Sequence, residues 1–348
     1  MIKNLHIKNF RLFDDFNIDG LARINLIVGK NNIGKSSLLE AVHVLVNPKS
    51  PSTILEILEM RGEITSYEKF FEEHGYKIQH LFFGHKLIEG KPLHIRTDDS
   101  HYRELRITFI RDGQEYQTEE SPFFLELEYK GKINNKVCAN VIGGLIENKR
   151  LRMFDMVYKP CRHSNYVTAK EANYRTMLKY WDDVNLTYKE TDVLDMLHVL
   201  EPHIERIAFK IMEIAHSGIL VRDKKQGKRY SLASKGDGVH RLLTIAIALA
   251  SAENGYLLVD EIDTGFHHKA MTAMWQRIFD IAERLNVQVF ATTHSLDCIR
   301  SFAEVLHKQD DKEIGTLFRL EQQDEQTKSV RYDAERLSSA VEQGIEVR

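Results

Sequence analysis

The sequence predicts an α/β protein organised around a mainly parallel core sheet, with an antiparallel β part and a helical insertion. Three observations carry this. Strands and helices alternate through the last third of the chain; an early apolar strand runs through a glycine-bearing loop straight into a helix; and two largely apolar strands end abruptly in polar side chains.

Leu5, Ile7 and Phe10 alternate with other residues and Ile24, Leu26 and Val28 repeat the pattern, so two strands are expected, with residues 11–19 as a charged connection. The second strand leads into Gly29-Lys30-Asn31-Asn32-Ile33-Gly34-Lys35-Ser36, and residues 37–46 show helical spacing closed by Pro48. Residues 54–74 read as helix. Residues 93–96, 104–111 and 123–130 have β character, with Arg111-Asp112-Gly113-Gln114 as a turn between two of them. A helical pattern returns over 169–200, and strands follow over 204–232 with Arg222 to Arg229 at a hairpin tip. Beyond them come a buried helix at 239–252, a core strand at 256–259, a helix at 267–285 and a core strand at 287–292. Strands near 316–320 and 328–332 and a helix capped by Asp333 and ended by Gly344 complete the chain. Residues 1–46 and 230–348 then form one core, and 47–229 an insertion of mixed β and helical character between its halves.

Composition narrows the function classes. The chain has 348 residues, 43% of them hydrophobic, which suffices for a sizeable core. Its longest nearly apolar run, 242–252, is far short of the ~20 residues a membrane span needs, and the first residues lack a signal peptide's basic and greasy regions. Cys138, Cys161 and Cys298 form no CxxC pair, so neither a disulfide framework nor a structural zinc site is expected, and a reducing cytoplasm fits best. With 48 Lys and Arg against 51 Asp and Glu the net charge is −3, so contact with nucleic acid has to come from a local patch or a partner.

Four motifs carry chemistry. Gly29 to Ser36 matches the phosphate-binding P-loop in full: glycines let successive N–H groups point at a polyphosphate, Lys35 reaches its outer phosphates, and the Ser36 hydroxyl can ligate Mg²⁺. Leu257-Leu258-Val259-Asp260-Glu261 is a strand ending in two carboxylates, Asp260 suited to a metal and Glu261 to polarising an attacking water as general base. Val289-Phe290-Ala291-Thr292-Thr293-His294 ends in a histidine able to hydrogen-bond a terminal phosphate. Ser234-Lys235-Gly236-Asp237-Gly238 precedes a hydrophobic helix and offers a second anion site, suited to a nucleotide held by another subunit.

The 225 positions between Lys35 and Asp260 exceed what compact kinases, GTPases and RecA-like folds use. With Ile7-Lys8-Asn9-Phe10-Arg11 and Ile24-Asn25-Leu26-Ile27-Val28-Gly29-Lys30-Asn31-Asn32, the motifs resemble an ABC-type ATPase head of the RecF, SMC and OLD kind, over roughly 1–60 and 204–348. The resemblance implies a P-loop NTPase fold, ATP and Mg²⁺ as ligands, and two ATPs sandwiched between two subunits. It puts Gly29, Asn31, Asn32, Gly34, Lys35, Ser36 and Ser37 on the phosphate loop, Asp260 and Glu261 on the Walker B pair, His294 on the switch histidine and Ser234 with Gly236 on the signature loop. Arg11 falls on a position that lies near the nucleotide in some relatives. Two departures stand out. Proline does not follow Glu261, and His267 stands where SMC-like heads carry the D-loop aspartate, which implies altered communication between sites and slow hydrolysis.

No long heptad insertion is present, and the 54 residues after His294 leave no room for a TOPRIM nuclease domain. The tail is similar to the ends of small stand-alone OLD-like ATPases, which are commonly paired with a separate nuclease in antiphage systems of the Septu and PARIS kind. Three readings follow: an ATPase whose dimerisation gates a partner effector in phage defence, a RecF-like ATPase that clamps duplex DNA, and a nucleotide-binding scaffold that scarcely turns over. Arg222 to Arg229, with five basic residues and one acid, is the best candidate DNA contact.

Overall fold

The computed structural model describes residues 1–47, 52–66, 74–98, 103–111, 123–131, 135–142, 145–146, 164–170, 174–210, 218–225 and 227–343. Pro48, the turn at 112–114, Cys161 and Gly344 lie outside them. The chain divides into two compact units. The first comprises Met1–Leu21, Gly29–His163 and Leu320–Val330, and the second Ala22–Val28, Ser164–Arg319 and Arg331–Arg348.

In the first unit, β1 (Asn4–Phe10) and β2 (Phe13–Asp19) form a hairpin to which β6 (Leu93–Thr97), β7 (Arg103–Arg111), β8 (Phe123–Lys130), β9 (Asn135–Ile142), β10 (Leu145–Ile146), β5 (His74–Lys77) and β4 (Ile64–Ser66) add in that order. Every neighbouring pair is antiparallel. Residues 11–19 are therefore mostly strand, not connection. Phe13, Phe16 and Ile18 are buried while Asp14, Asp15, Asn17 and Asp19 are exposed, so the apolar residues break the two-residue spacing between Phe13 and Phe16 and the acids give the stretch the look of a charged connection. Helix α1 (Lys35–Val46) packs on β1, β6 and β7, and α2 (Thr53–Arg61) on α1 and β5. The helix expected over 54–74 stops early because Gly62 adopts a left-handed C-terminal turn (φ 71°), its N–H donating to Glu59 O and that of Glu63 to Leu58 O.

The core of the second unit is the run of parallel neighbours β11 (Ser164–Val167), β15 (Tyr256–Val259), β16 (Gln288–Thr292) and β3 (Ile24–Gly29). The six-stranded sheet continues from β3 to β17 (Gly315–Gln323) and β18 (Gln326–Tyr332). β15, β16 and β3 are buried along their whole length, which is why they are largely apolar, and the buried amides of Asn25 in β3 and Gln288 in β16 donate to main-chain carbonyls. The pattern over 169–200 resolves into two helices, α3 (Tyr174–Asp182) and α4 (Glu190–Leu197). They pack with β11 and β15 around α5 (Asp237–Ser251), whose residues from Leu242 to Ala250 are all buried. Helix α6 (His268–Arg284) buries Met271, Met274, Trp275, Ile278 and Phe279 on one stripe, against α7 (Leu296–Lys308). The Trp275, Phe279 and Phe302 rings meet there at centroid distances of 5.0 to 6.4 Å. The last helix, α8 (Ala334–Glu342), starts at the Asp333 cap and packs on α7. β12 (Ile204–Lys210), β13 (Gly218–Asp223) and β14 (Arg229–Ser231) form a separate antiparallel sheet carrying the basic hairpin.

Helix α7 was not expected from the sequence, although Ser295 caps it and Cys298, Ile299, Phe302, Val305 and Leu306 repeat at helical spacing. No helix among the described residues is long and apolar enough to cross a membrane.

Candidate functional site

Strand β3 passes at Gly29 directly into the glycine loop, and α1 begins six residues later. Gly29 (φ 145°) and Gly34 (φ 108°) hold conformations that side-chain-bearing residues rarely adopt. Both are also crowded. A Cβ on Gly29 would fall 2.6 Å from the Leu320 carbonyl oxygen, and one on Gly34 would fall 2.7 Å from the Phe13 ring. Asn31 and Asn32 are exposed on the loop, Asn32 itself left-handed at φ 59°. Gly34 is the N-cap of α1 and contributes no side-chain cap, and no acid stands in the first turn. The helix therefore presents its N-terminal N–H groups and positive dipole end uncompensated by a carboxylate, as an anion cradle requires. Lys35 Nζ folds back on the loop, donating to the Gly29 and Lys30 carbonyls at 2.8 Å each. Ser36 is half-buried at the helix start. Ser37 is buried, with Arg61 Nη2 3.5 Å from its Oγ.

Arg11 sits in the β1–β2 turn at φ 53° and is 5% exposed. Its Nη1 donates to both oxygens of Glu63 (2.7 and 2.6 Å) and to His80 O (3.0 Å), and its Nε lies 3.0 Å from Glu40 on α1. Arg61 Nε donates to the other Glu40 oxygen at 2.5 Å. Burial pushes the Glu40 carboxyl above the usual carboxylate range, against the pull of Arg11 and Arg61. The Arg11 guanidinium is thus occupied by carboxylates behind the loop.

In the second unit, β15, β16 and β3 run parallel with Val259 beside Ala291 and Ala291 beside Leu26, so their C-terminal ends share one edge. Ligands of open α/β sheets sit at such an edge. Asp260 and Glu261 follow β15, and Thr293 and His294 follow β16. Thr292 ties the two ends together: its Oγ1 donates to Asp260 Oδ1 (2.5 Å) and accepts from the Glu261 N–H (2.8 Å), and its carbonyl accepts from Ile262 N (2.9 Å). Thr293 Oγ1 donates to Asp263 Oδ1 at 2.5 Å. Glu261 has φ 49° and an exposed side chain, with Thr264 Oγ1 3.4 Å from its Oε2. His294 is half-buried and immediately precedes Ser295, the α7 cap, whose Oγ accepts from Cys298 N. Burial pushes the Cys298 thiol up to about 12, which removes it as a nucleophile.

Ser234 and Gly236 are exposed at the start of α5, Gly236 as its N-cap at φ 80°. Ser234 Oγ donates to Ser231 O at 2.8 Å. His267, in the D-loop position, is the N-cap of α6, its Nδ1 accepting from Lys269 N at 3.4 Å. Thr292, Asp263 and the Arg11 carboxylate partners Glu40 and Glu63 were not singled out from the sequence. Only Thr292 and Asp263 carried a signal there, as polar residues beside motifs already found.

A complete phosphate loop continuing one strand of a parallel sheet, with acids and a histidine ending the next two, defines a P-loop ATPase head of the ABC type. Residues 24–298, well over half of the chain, match the family described as "AAA domain, putative AbiEii toxin, Type IV TA system", and the chain belongs to that family. It is 23% identical over 354 residues to an ATP/GTP phosphatase of Helicobacter pylori, covering 93% of this chain and 94% of that protein. It is 22% identical to the DNA replication and repair protein RecF of Ligilactobacillus salivarius, covering 85% and 91%. Its fold is similar to an SMC head solved with the C-winged helix domain of ScpA: TM-score 0.51 at 13% identity, over 97% of this chain and 99% of that one. An Smc head with an extended coiled coil, solved with the C-terminal domain of ScpA derived from Pyrococcus furiosus, is equally similar, at TM-score 0.51 and 11% identity over 99% of both chains. The chain is an ATPase head of the RecF/SMC group.

Proposed function

We propose that this head binds and slowly hydrolyses ATP with Mg²⁺, that two copies close on two nucleotides, and that this closure regulates a separate effector, a nuclease of an antiphage system. The observation that carries the nucleotide reading is the loop from Gly29 to Ser36, whose crowded glycines and uncapped helix start form a cradle that side chains would fill. In this reading Lys35 exchanges the Gly29 and Lys30 carbonyls for phosphate oxygens, and Gly29, Asn31, Asn32, Gly34 and Ser37 shape the loop. Arg11 acts through Glu40 on α1. Among the described residues no three His, Cys, Asp or Glu side chains form a metal set of their own. Ser36 and Asp260 would instead hold Mg²⁺ together with phosphate oxygens, as Mg²⁺ sites of this chemistry do. Bound there, the ion neutralises charge on the outer phosphates. Glu261 orients and deprotonates the attacking water, His294 contacts the terminal phosphate, and Ser234 and Gly236 meet the nucleotide of the opposing copy. Residues 1–46 and 230–348 serve as the core and 47–229 as the insertion that sets specificity, with β11 lent to the core sheet.

The family's description names a toxin and a type IV TA system, which supports the effector reading. Direct DNA clamping is the second reading, favoured by the RecF likeness and by the hairpin at 222–229. There Arg222, Lys224, Lys225, Lys228 and Arg229 are all exposed around a turn closed by Asp223 N to Lys228 O. Its signature is duplex binding that weakens steeply with salt.

The ATPase proposal is tested with two variants. Lys35→Ala is expected to abolish ATP binding. Glu261→Gln is expected to keep ATP and lose turnover by roughly 10²–10⁴-fold, the range for a positioned general base. Light scattering should show Glu261→Gln doubling its mass with ATP; an unchanged mass removes the two-copy closure.

A further inference from the structure

Arg241 lies on the second turn of α5 and is 9% exposed. The two terminal nitrogens of its guanidinium donate to main-chain carbonyls from two strand ends. Nη1 donates to Thr168 O after β11 (2.5 Å), and Nη2 to Asp260 O (2.5 Å) and Glu261 O (3.2 Å) after β15. A second contact fixes the same two segments. Gly238 and Gly265 touch so closely that a Cβ on Gly238 would fall 2.4 Å from the Gly265 carbonyl oxygen, so the first turn of α5 rests on the backbone that follows Glu261.

Between these contacts Glu261 holds a left-handed conformation, φ 49°, which costs a non-glycine residue free energy and persists only where the surroundings over-determine it. The over-determination is visible. The Glu261 N–H is held by Thr292, and the Glu261 carbonyl accepts from both Thr264 N (3.1 Å) and Arg241. Every backbone polar atom of the residue is pinned while its carboxylate stays exposed. Burial pulls the Arg241 guanidinium below its ordinary proton affinity, opposed by Asp260, Glu261 and Asp263. An apolar side chain would pack there without that cost. What it would not do is aim the carbonyls of residues 168, 260 and 261.

We propose that Arg241 is a positioning residue for ATP hydrolysis: by holding the carbonyls of Asp260 and Glu261 from α5, it sets the left-handed backbone that directs the Glu261 carboxylate. The proposal rests on the reading of Glu261 as the general base. Because the bonds run to main-chain atoms, Arg241 governs the rate and not the capture of nucleotide.

The test compares wild type with Arg241→Met, Arg241→Lys, Gly238→Ala and Glu261→Gln, in the full chain, by steady-state ATP turnover and by equilibrium binding of a fluorescent ATP analogue. Arg241→Met is expected to lower kcat by about 10²-fold, the scale of a small misplacement of a catalytic group, with nucleotide affinity unchanged. Arg241→Lys, which keeps a charged donor without the planar fork, is expected to recover part of kcat. Wild-type kcat in Arg241→Met, or a loss of affinity that accounts for the whole defect, overturns the proposal. Should Arg241→Met fail to fold, Gly238→Ala carries the test, since its Cβ forces α5 off the Glu261 loop; a reduced kcat supports positioning and an unchanged kcat overturns it. Glu261→Gln separates the two levels. Full turnover there overturns the general-base reading itself, whereas lost turnover there with normal kcat in Arg241→Met overturns only the role of Arg241.

Discussion

Around residues 29–36 the chain is shaped by side chains that are missing; around residues 260–261 it is shaped by side chains that reach in from elsewhere. Gly29 and Gly34 take positive φ values and leave room for a carbonyl and a ring that any Cβ would strike. Glu261 also takes a positive φ, but it carries a full side chain and is held by Thr292 and Arg241. The contrast follows from the chemistry each region is suited to. A loop that offers N–H groups to phosphate needs bare backbone, whereas an acid that acts through its carboxylate must keep its side chain and have its backbone fixed from outside.

The largest expected effect lies behind the loop. Arg11→Met leaves Glu40 and Glu63 with their shared guanidinium removed, and Glu40 buried. Deleting one partner of a buried ion pair costs about 3–5 kcal/mol, which denaturant unfolding would register as a lower midpoint. A midpoint unchanged in Arg11→Met would mean that α1 does not depend on this network. Gly34→Ala is expected to act next, and in a different currency of evidence: ATP affinity. The left-handed φ alone costs roughly 1–3 kcal/mol, and the Phe13 ring adds a clash. Gly34→Ala combined with Phe13→Ala relieves only the clash, so affinity recovers partly; full recovery would show that the ring, and not the backbone angle, demanded glycine.

The same contrast explains what could be read from the sequence. The loop was legible because backbone needs fix glycines at set intervals, and the ends of β15 and β16 were legible because apolar runs stop abruptly at acids and a histidine. Strand β2 was not, since the exposed Asp14, Asp15 and Asp19 interrupt Phe13, Phe16 and Ile18, whose spacing departs from strict alternation. Helix α7 was overlooked behind a more conspicuous histidine, though its Ser295 cap and its spacing were present. Arg241 left no local trace. Its partners are carbonyls 73, 19 and 20 positions away, and main-chain acceptors write nothing into a residue pattern. Arg11 was marked by the resemblance, but its carboxylate partners were not, because Glu40 on α1 and Glu63 beyond α2 lie far along the chain from it.

The smallest expected effect touches only the outside support of the acidic edge. Thr292→Val keeps the volume and shape of a fully buried residue while removing the one oxygen that bonds both Asp260 Oδ1 and the Glu261 N–H. The Glu261 N–H then loses its acceptor beside a left-handed backbone that depends on being held, at a cost of about 1–2 kcal/mol. If that cost falls on the folded state alone, the unfolding midpoint drops and kcat is preserved. If it is met by relaxation of Glu261 out of its left-handed conformation, the midpoint moves little and kcat falls about tenfold, since 1.4 kcal/mol is a factor of ten. The second outcome is the expected one, because the Glu261 side chain is exposed and its backbone N–H, which Thr292 holds, is one of the atoms that fix the strained angle. Combining Thr292→Val with Arg241→Lys then discriminates further: the two changes act on one backbone, so once either has released it the other has less to remove, and their effects on kcat should be less than additive in free energy. Strict additivity would mean that each holds a different atom for a different purpose.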